Sequence, residues 1–148
     1  MAKTKNDIQN IAEDIVDACC DAIDRNTAVK GVRNICRYFG GGMFYIPVRK
    51  KDGLLFMEMY EVLRETVGDR AASVIRGKMM ALFGGFQLYI PFERTAFEEV
   101  IAEEIYRRNT YENASMREIF RDYGITSNKA YQLWREGRKI KLSKETKK

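Results

Sequence analysis

Phe39-Gly-Gly-Gly-Met-Phe-Tyr-Ile-Pro47 and Phe83-Gly-Gly-Phe-Gln-Leu-Tyr-Ile-Pro91 spell one signal twice, 44 residues apart. In each copy a Gly-Gly step follows a run of helical spacing, and Gly40 and Gly84 are predicted to end that helix in a left-handed conformation. The next residues, Met43-Phe-Tyr-Ile46 and Gln87-Leu-Tyr-Ile90, favour strand, and Pro47 and Pro91 remove a backbone donor and end the pairing. A lone four-residue strand has no partner. Two could pair antiparallel, within one chain or across a dimer, and bury helix pairs around them. The glycines do not read as a phosphate cradle, because no GKS/T or GxGxxG pattern is present and each pair follows a helix instead of opening one.

The same offset extends upstream. It pairs Ile11 with Leu55, Ile15 with Met59, Ala18 with Val62, Cys19 with Leu63 and Ile23 with Val67, positions that share one helical face. Each copy therefore predicts a first helix (about Asp7 to Asp24, and Leu54 to Thr66), a second (about Thr27 to Tyr38, and Asp69 to Leu82) and a short strand. The boundaries are 1–48 for the first helix-helix-strand unit and 49–92 for the second.

Beyond Pro91 the pattern is wholly helical. Ala96, Phe97, Val100, Ile101, Ile105 and Tyr106 trace one apolar face of a helix from about Arg94 to Arg108. Ser115 with Glu118 three residues on spells a capping box for a helix over Met116 to Asp122. Gly124 stops it, and Thr126 or Ser127 caps another from about Asn128 to Glu136. Helix, glycine turn and helix make the layout of a helix-turn-helix, its apolar positions being Ile119, Phe120, Ile125, Ala130 and Leu133. Phe120 stands where such motifs commonly carry a small residue. The fold class is thus mostly α: two tandem helix-helix-strand units forming a small antiparallel ribbon, then a helix-turn-helix over 93–140 and a basic disordered tail over 141–148.

Composition narrows the function. The chain has 148 residues, no histidine, and three cysteines, Cys19, Cys20 and Cys36, without CxxC spacing. Imidazole acid-base chemistry, His-activated nucleophiles, a zinc site and a disulfide framework are not indicated, so neither an enzyme nor a cofactor is expected. Glu13, Asp14, Asp17, Asp21 and Asp24 fall at helical spacing and read as a solvated face. No run approaches the roughly 20 apolar residues of a membrane span, and Met1 to Asp7 lead into a polar segment; a soluble cytoplasmic protein without a membrane partner is expected. Charge is segregated: residues 107–148 hold 12 Lys+Arg against 5 Asp+Glu, although the whole chain is only +5. Such a patch is the footprint of a polyanion partner, here double-stranded DNA.

On a DNA-reading second helix the outward residues would be Ser127, Asn128, Lys129, Gln132 and Arg135, which can bond base edges or phosphates. Arg117, Arg121, Arg138 and Lys139 would meet backbone phosphates and fix register. Tyr123, Tyr131 and Trp134 interleave with the apolar face and read as packing.

The stretches "RYFGGGMFYIP", "ALFGGFQLYIP" and "YGITSNKAYQLWREGRK" resemble the Mor/C family of phage middle- and late-gene transcription activators, with matching order and spacing from about Leu54 to Lys139. The resemblance implies a dimerisation region of two helices and a Gly-Gly-led strand, a helix-turn-helix, promoter DNA and RNA polymerase as partners, and paired strands near the minor groove. It places Gln87 and Tyr89 on the DNA-facing strand, and Asn128, Lys129 and Gln132 on the recognition helix. The chain departs from the family in its extra N-terminal unit, which has no helix-turn-helix of its own. That departure suggests one chain holding both halves of what relatives assemble as a homodimer, an intrachain pseudo-dimer. Two other readings use the same residues: a DNA-packaging or assembly protein working in a ring, and a protein-binding regulator whose helix-turn-helix has lost DNA affinity.

Overall fold

The structure is a computed structural model that describes residues 11–49 and 53–146. It divides into two compact units, Met1–Ala96 and Phe97–Lys148.

The first unit contains α1 (Ile11–Cys19), α2 (Arg25–Phe39), β1 (Gly42–Tyr45), α3 (Leu54–Val67), α4 (Asp69–Phe83), β2 (Gln87–Ile90) and the single turn α5 (Glu93–Ala96). The first predicted helix is shorter than expected. Its predicted start at Asp7 lies outside the described residues, and it ends at Cys19, whose carbonyl accepts from the N–H groups of Ala22 and Ile23 (both 3.0 Å) in a turn that leads to Asp24, the cap of the next helix. The Asp24 carboxylate accepts bonds from the Thr27 hydroxyl (2.6 Å) and backbone N–H (3.0 Å), and these two bonds hold it below the usual carboxylate range. The acidic stretch is also more than a solvated face, since Asp17 pairs with Arg25 and Asp21 with Lys78, each at 2.8 Å.

β1 and β2 pair antiparallel within the chain, with Gly42 opposite Ile90, Met43 opposite Tyr89, Phe44 opposite Leu88 and Tyr45 opposite Gln87. Period-two alternation sends Phe44, Ile46, Leu88 and Ile90 into the core and leaves Met43, Tyr45, Gln87 and Tyr89 exposed on the other face. The helices pack crosswise, α2 on α3 and α4 on α1. Ala12, Ile15, Val16, Cys19, Ala28, Val32 and Ile35 bring the first helix pair into the core; Phe56, Met59, Leu63, Ala72, Ile75 and Met79 bring the second.

The positive backbone angle expected at Gly40 and Gly84 falls one residue later, at Gly41 (φ +91°) and Gly85 (φ +89°). Gly40 and Gly84 are needed for closeness instead: a Cβ there would stand 2.2 Å from the Cys36 carbonyl oxygen and 2.5 Å from that of Met80, respectively.

The cysteines are free thiols. Burial pushes the Cys36 thiol up to about 12 and the Cys19 thiol up to about 11, whereas Cys20 is exposed. Because the thiolate is the nucleophile, a maleimide at neutral pH should label one cysteine per native chain and three after denaturation, counted by intact mass. Rapid labelling of all three in the native protein would contradict this packing.

The predicted helix from Arg94 to Arg108 is broken at Phe97 (φ −123°, ψ 34°). Its first turn, α5, stays with the first unit, where the Glu93 carboxylate holds both Arg33 (3.4 Å) and Arg37 (2.8 Å) of α2. The second unit contains α6 (Glu98–Tyr111), α7 (Met116–Tyr123) and α8 (Ser127–Thr146). Its core is Phe97, Ile101, Ala102, Ile105, Ile119, Ile125, Ala130 and Leu133. The tail predicted to be disordered from Lys141 is instead the last part of α8 as far as Thr146. Two contacts with α6 hold it there: the Lys141 ammonium lies 3.9 Å from the centre of the Tyr111 ring, and Lys144 pairs with Glu103 at 2.5 Å. Among the described residues no helix is long and apolar enough to cross a membrane.

Candidate nucleic-acid interface

Local chemistry fixes how α7 leads into α8. Ser115 and Glu118 form the predicted capping box, the Ser115 hydroxyl accepting from the Glu118 N–H (3.1 Å) and the Glu118 carboxylate from the Ser115 N–H (3.3 Å). At the far end the Ile125 N–H reaches the Phe120 carbonyl (3.0 Å) and the Gly124 N–H the Arg121 carbonyl (3.3 Å). That is a Schellman closure around Gly124, whose left-handed φ of +63° needs no Cβ. Thr126 is the residue that caps α8, accepting from the Lys129 N–H at 3.1 Å. The turn between the two helices is therefore only Gly124-Ile125-Thr126.

Both helices are pinned to α6. The Tyr123 hydroxyl donates to Glu104 and the Arg108 guanidinium to Asp122, each at 2.8 Å. Burial, then the bond to Glu104, pushes the Tyr123 phenol above its ordinary value. Trp134 packs on Tyr106 with ring centres 5.4 Å apart. The closest approach is at Gly137, where a Cβ would stand 2.0 Å from the Ala102 carbonyl oxygen. One side of α8 is consequently sealed by Ala130, Leu133 and Gly137.

The opposite side is open. Asn128, Tyr131, Gln132, Arg135 and Lys139 are all exposed, and their spacing of three, one, three and four residues puts them in one stripe along the helix. Ser127 and Arg138 are exposed at its margins, and Arg117 and Arg121 are exposed one turn apart on α7. Lys129 departs from the expected set: it is half-buried and its ammonium is held by Glu98 of α6 at 3.0 Å. Tyr131 departs in the other direction. Tyr123 and Trp134 pack as expected, but Tyr131 is 51% exposed in the middle of the stripe. Its phase relative to Ala130 and Leu133 was the sequence signal that could have found it. Phe120 is half-buried, next to the fully buried Ile119.

On the first unit, Gln87 and Tyr89 are exposed on the ribbon face, opposite Tyr45 and Met43 respectively.

Against known proteins, a family model described as the Mor transcription activator family matches residues 55–148, more than half of the chain. No curated protein and no solved structure matches the chain.

Proposed function

We propose that this chain, which belongs to the Mor transcription activator family, binds promoter DNA sequence-specifically through α7 and α8 as a helix-turn-helix, and raises transcription by contacting RNA polymerase, as a phage- or prophage-type activator. The observation that carries the reading is the open stripe on α8. An amide pair, Asn128 and Gln132, stands beside Arg135 and Tyr131 on a helix whose other side is fully committed to packing. Asn and Gln can bond adenine in two places, Arg can do so with guanine, and an aromatic ring can cover a thymine methyl. Ser127 lies at the N-terminal end of the helix, where such motifs reach base edges.

Arg117, Arg121, Arg138 and Lys139 supply the phosphate contacts that set register. Lys129 joins the reading set only by releasing Glu98. Gln87 and Tyr89 are assigned to a second, strand-borne contact with the minor groove.

Selection of bound sites from random duplexes, followed by titration at stated salt, tests this reading. Asn128→Ala or Gln132→Ala should lose about 5- to 150-fold on the selected site, the equivalent of about 1–3 kcal/mol, and little on random DNA. Arg121→Ala should weaken both alike and lower the slope of log affinity against log salt by about one. No enrichment of any site, with all three variants behaving as the parent, would overturn the assignment.

A further inference from the structure

The ribbon register and the sequence repeat coincide at one point. Cross-strand partners converge on Phe44 opposite Leu88, and these two are also the residues related by the 44-residue offset. No other cross-strand pair in the register has that property. An axis exchanging the two copies therefore passes between Phe44 and Leu88. The bonds around it occur in equivalent pairs. The Gly41 N–H bonds the Ile90 carbonyl and the Gly85 N–H the Ile46 carbonyl, both at 2.7 Å; the Gly40 N–H bonds Cys36 and the Gly84 N–H bonds Met80, both at 2.9 Å. Burial repeats as well, at Ile15 and Met59, Cys19 and Leu63, Ala28 and Ala72, Ile35 and Met79, and Ile46 and Ile90.

This is an isologous pairing of the kind that joins two identical subunits, realised inside one chain. The strand edge that a second chain would need in order to repeat it is already occupied by the chain's own second copy. The copies lead to different places: β2 continues through α5 into α6, α7 and α8, whereas the segment after β1 leads into α3. The exposed ribbon face is unequal too, with Met43 at the position corresponding to Gln87.

We propose that the chain works as a single-headed pseudo-dimer: one molecule binds one undivided, asymmetric DNA site through one α8, and its first copy stands in for a partner subunit. The proposal rests on the DNA reading above, but its structural half can be tested without DNA. Alternation of an antiparallel ladder, counted from the Ile46 N–H bond to Phe86, makes Met43 and Tyr89 a non-hydrogen-bonded pair, with Cα atoms about 4.5 Å apart. That separation is within reach of a disulfide. Met43→Cys combined with Tyr89→Cys, in a Cys20→Ser background and under mild oxidation, should close a bridge that leaves the chain at monomer mass on non-reducing denaturing electrophoresis. A band at dimer mass, or persistent free thiols at both positions, overturns the intrachain ribbon.

Light scattering on the unmodified protein then gives the stoichiometry. The expected result is the 17.2 kDa monomer alone and a one-to-one complex on the selected duplex, whose site has no internal twofold. Two chains on a palindrome overturn the proposal. If no duplex is bound at all, the DNA reading fails, and the single-headed proposal fails with it; the cross-link and the free mass still decide whether the pseudo-dimer stands.

Discussion

Gly137→Ala should unfold the C-terminal unit at urea concentrations the parent withstands, at a cost of about 3 kcal/mol. In an exposed helix interior the same change normally stabilises by about 0.5–1 kcal/mol, because alanine loses less backbone entropy than glycine. The sign reverses here because the added methyl would meet the backbone carbonyl of Ala102, its oxygen at 2.0 Å and its carbon at 2.7 Å, and the first side-chain carbon of Tyr106 at 2.9 Å. None of these can turn aside, so α6 and α8 must separate, at the upper end of what overpacking a core costs. The chain's single tryptophan, Trp134, lies in this unit, so fluorescence reports the transition directly. Gly77→Ala supplies the control, because it lies in α4 with nothing within 4 Å of a Cβ and should gain the ordinary helical increment. A neutral or stabilising Gly137→Ala would refute the close crossing, and with it the sealed side of α8.

The second large effect is expected at the ribbon's axis. Phe44 is 3% exposed and meets the Phe39 and Phe56 rings edge-on, with centres 5.5 and 6.5 Å away. Phe44→Ala should cost about 3–5 kcal/mol, the range for deleting a buried phenyl group. Its neighbour Met43 faces outward, and Met43→Ala should change stability by less than about 0.5 kcal/mol. Urea titration followed by circular dichroism at 222 nm distinguishes the two. Equal effects at both positions would mean that the strand does not present alternate residues to the core.

Much of this architecture was legible in the sequence because its signals are local or repeated. The doubled Gly-Gly-strand-Pro phrase located the ribbon, and the offset between its copies carried over to the helices upstream. Ser115 with Glu118 marked a helix start, and Gly124 marked a stop, for reasons contained within a few residues. What escaped depended on groups distant in sequence. The last part of α8 is charged and carries no apolar stripe, yet Tyr111 and Glu103 of α6 hold Lys141 and Lys144 in helix. The break at Phe97 reflects a ring buried with the second unit and a Glu93 committed to α2. At the candidate site residue types were legible but rotation was not: Lys129 turns toward Glu98, and Tyr131 turns outward.

Strands joined by their own chain are brought together by loop closure and not by collision. The entropy lost grows only slowly with the length of the connecting segment and contains no term in protein concentration, whereas an obligate dimer's stability falls with dilution. The ribbon of β1 and β2 should accordingly melt at the same temperature at nanomolar as at micromolar protein. Occupancy of a target site would then rise with the first power of protein level, giving a graded response at the scarcity where a two-chain regulator would fall apart.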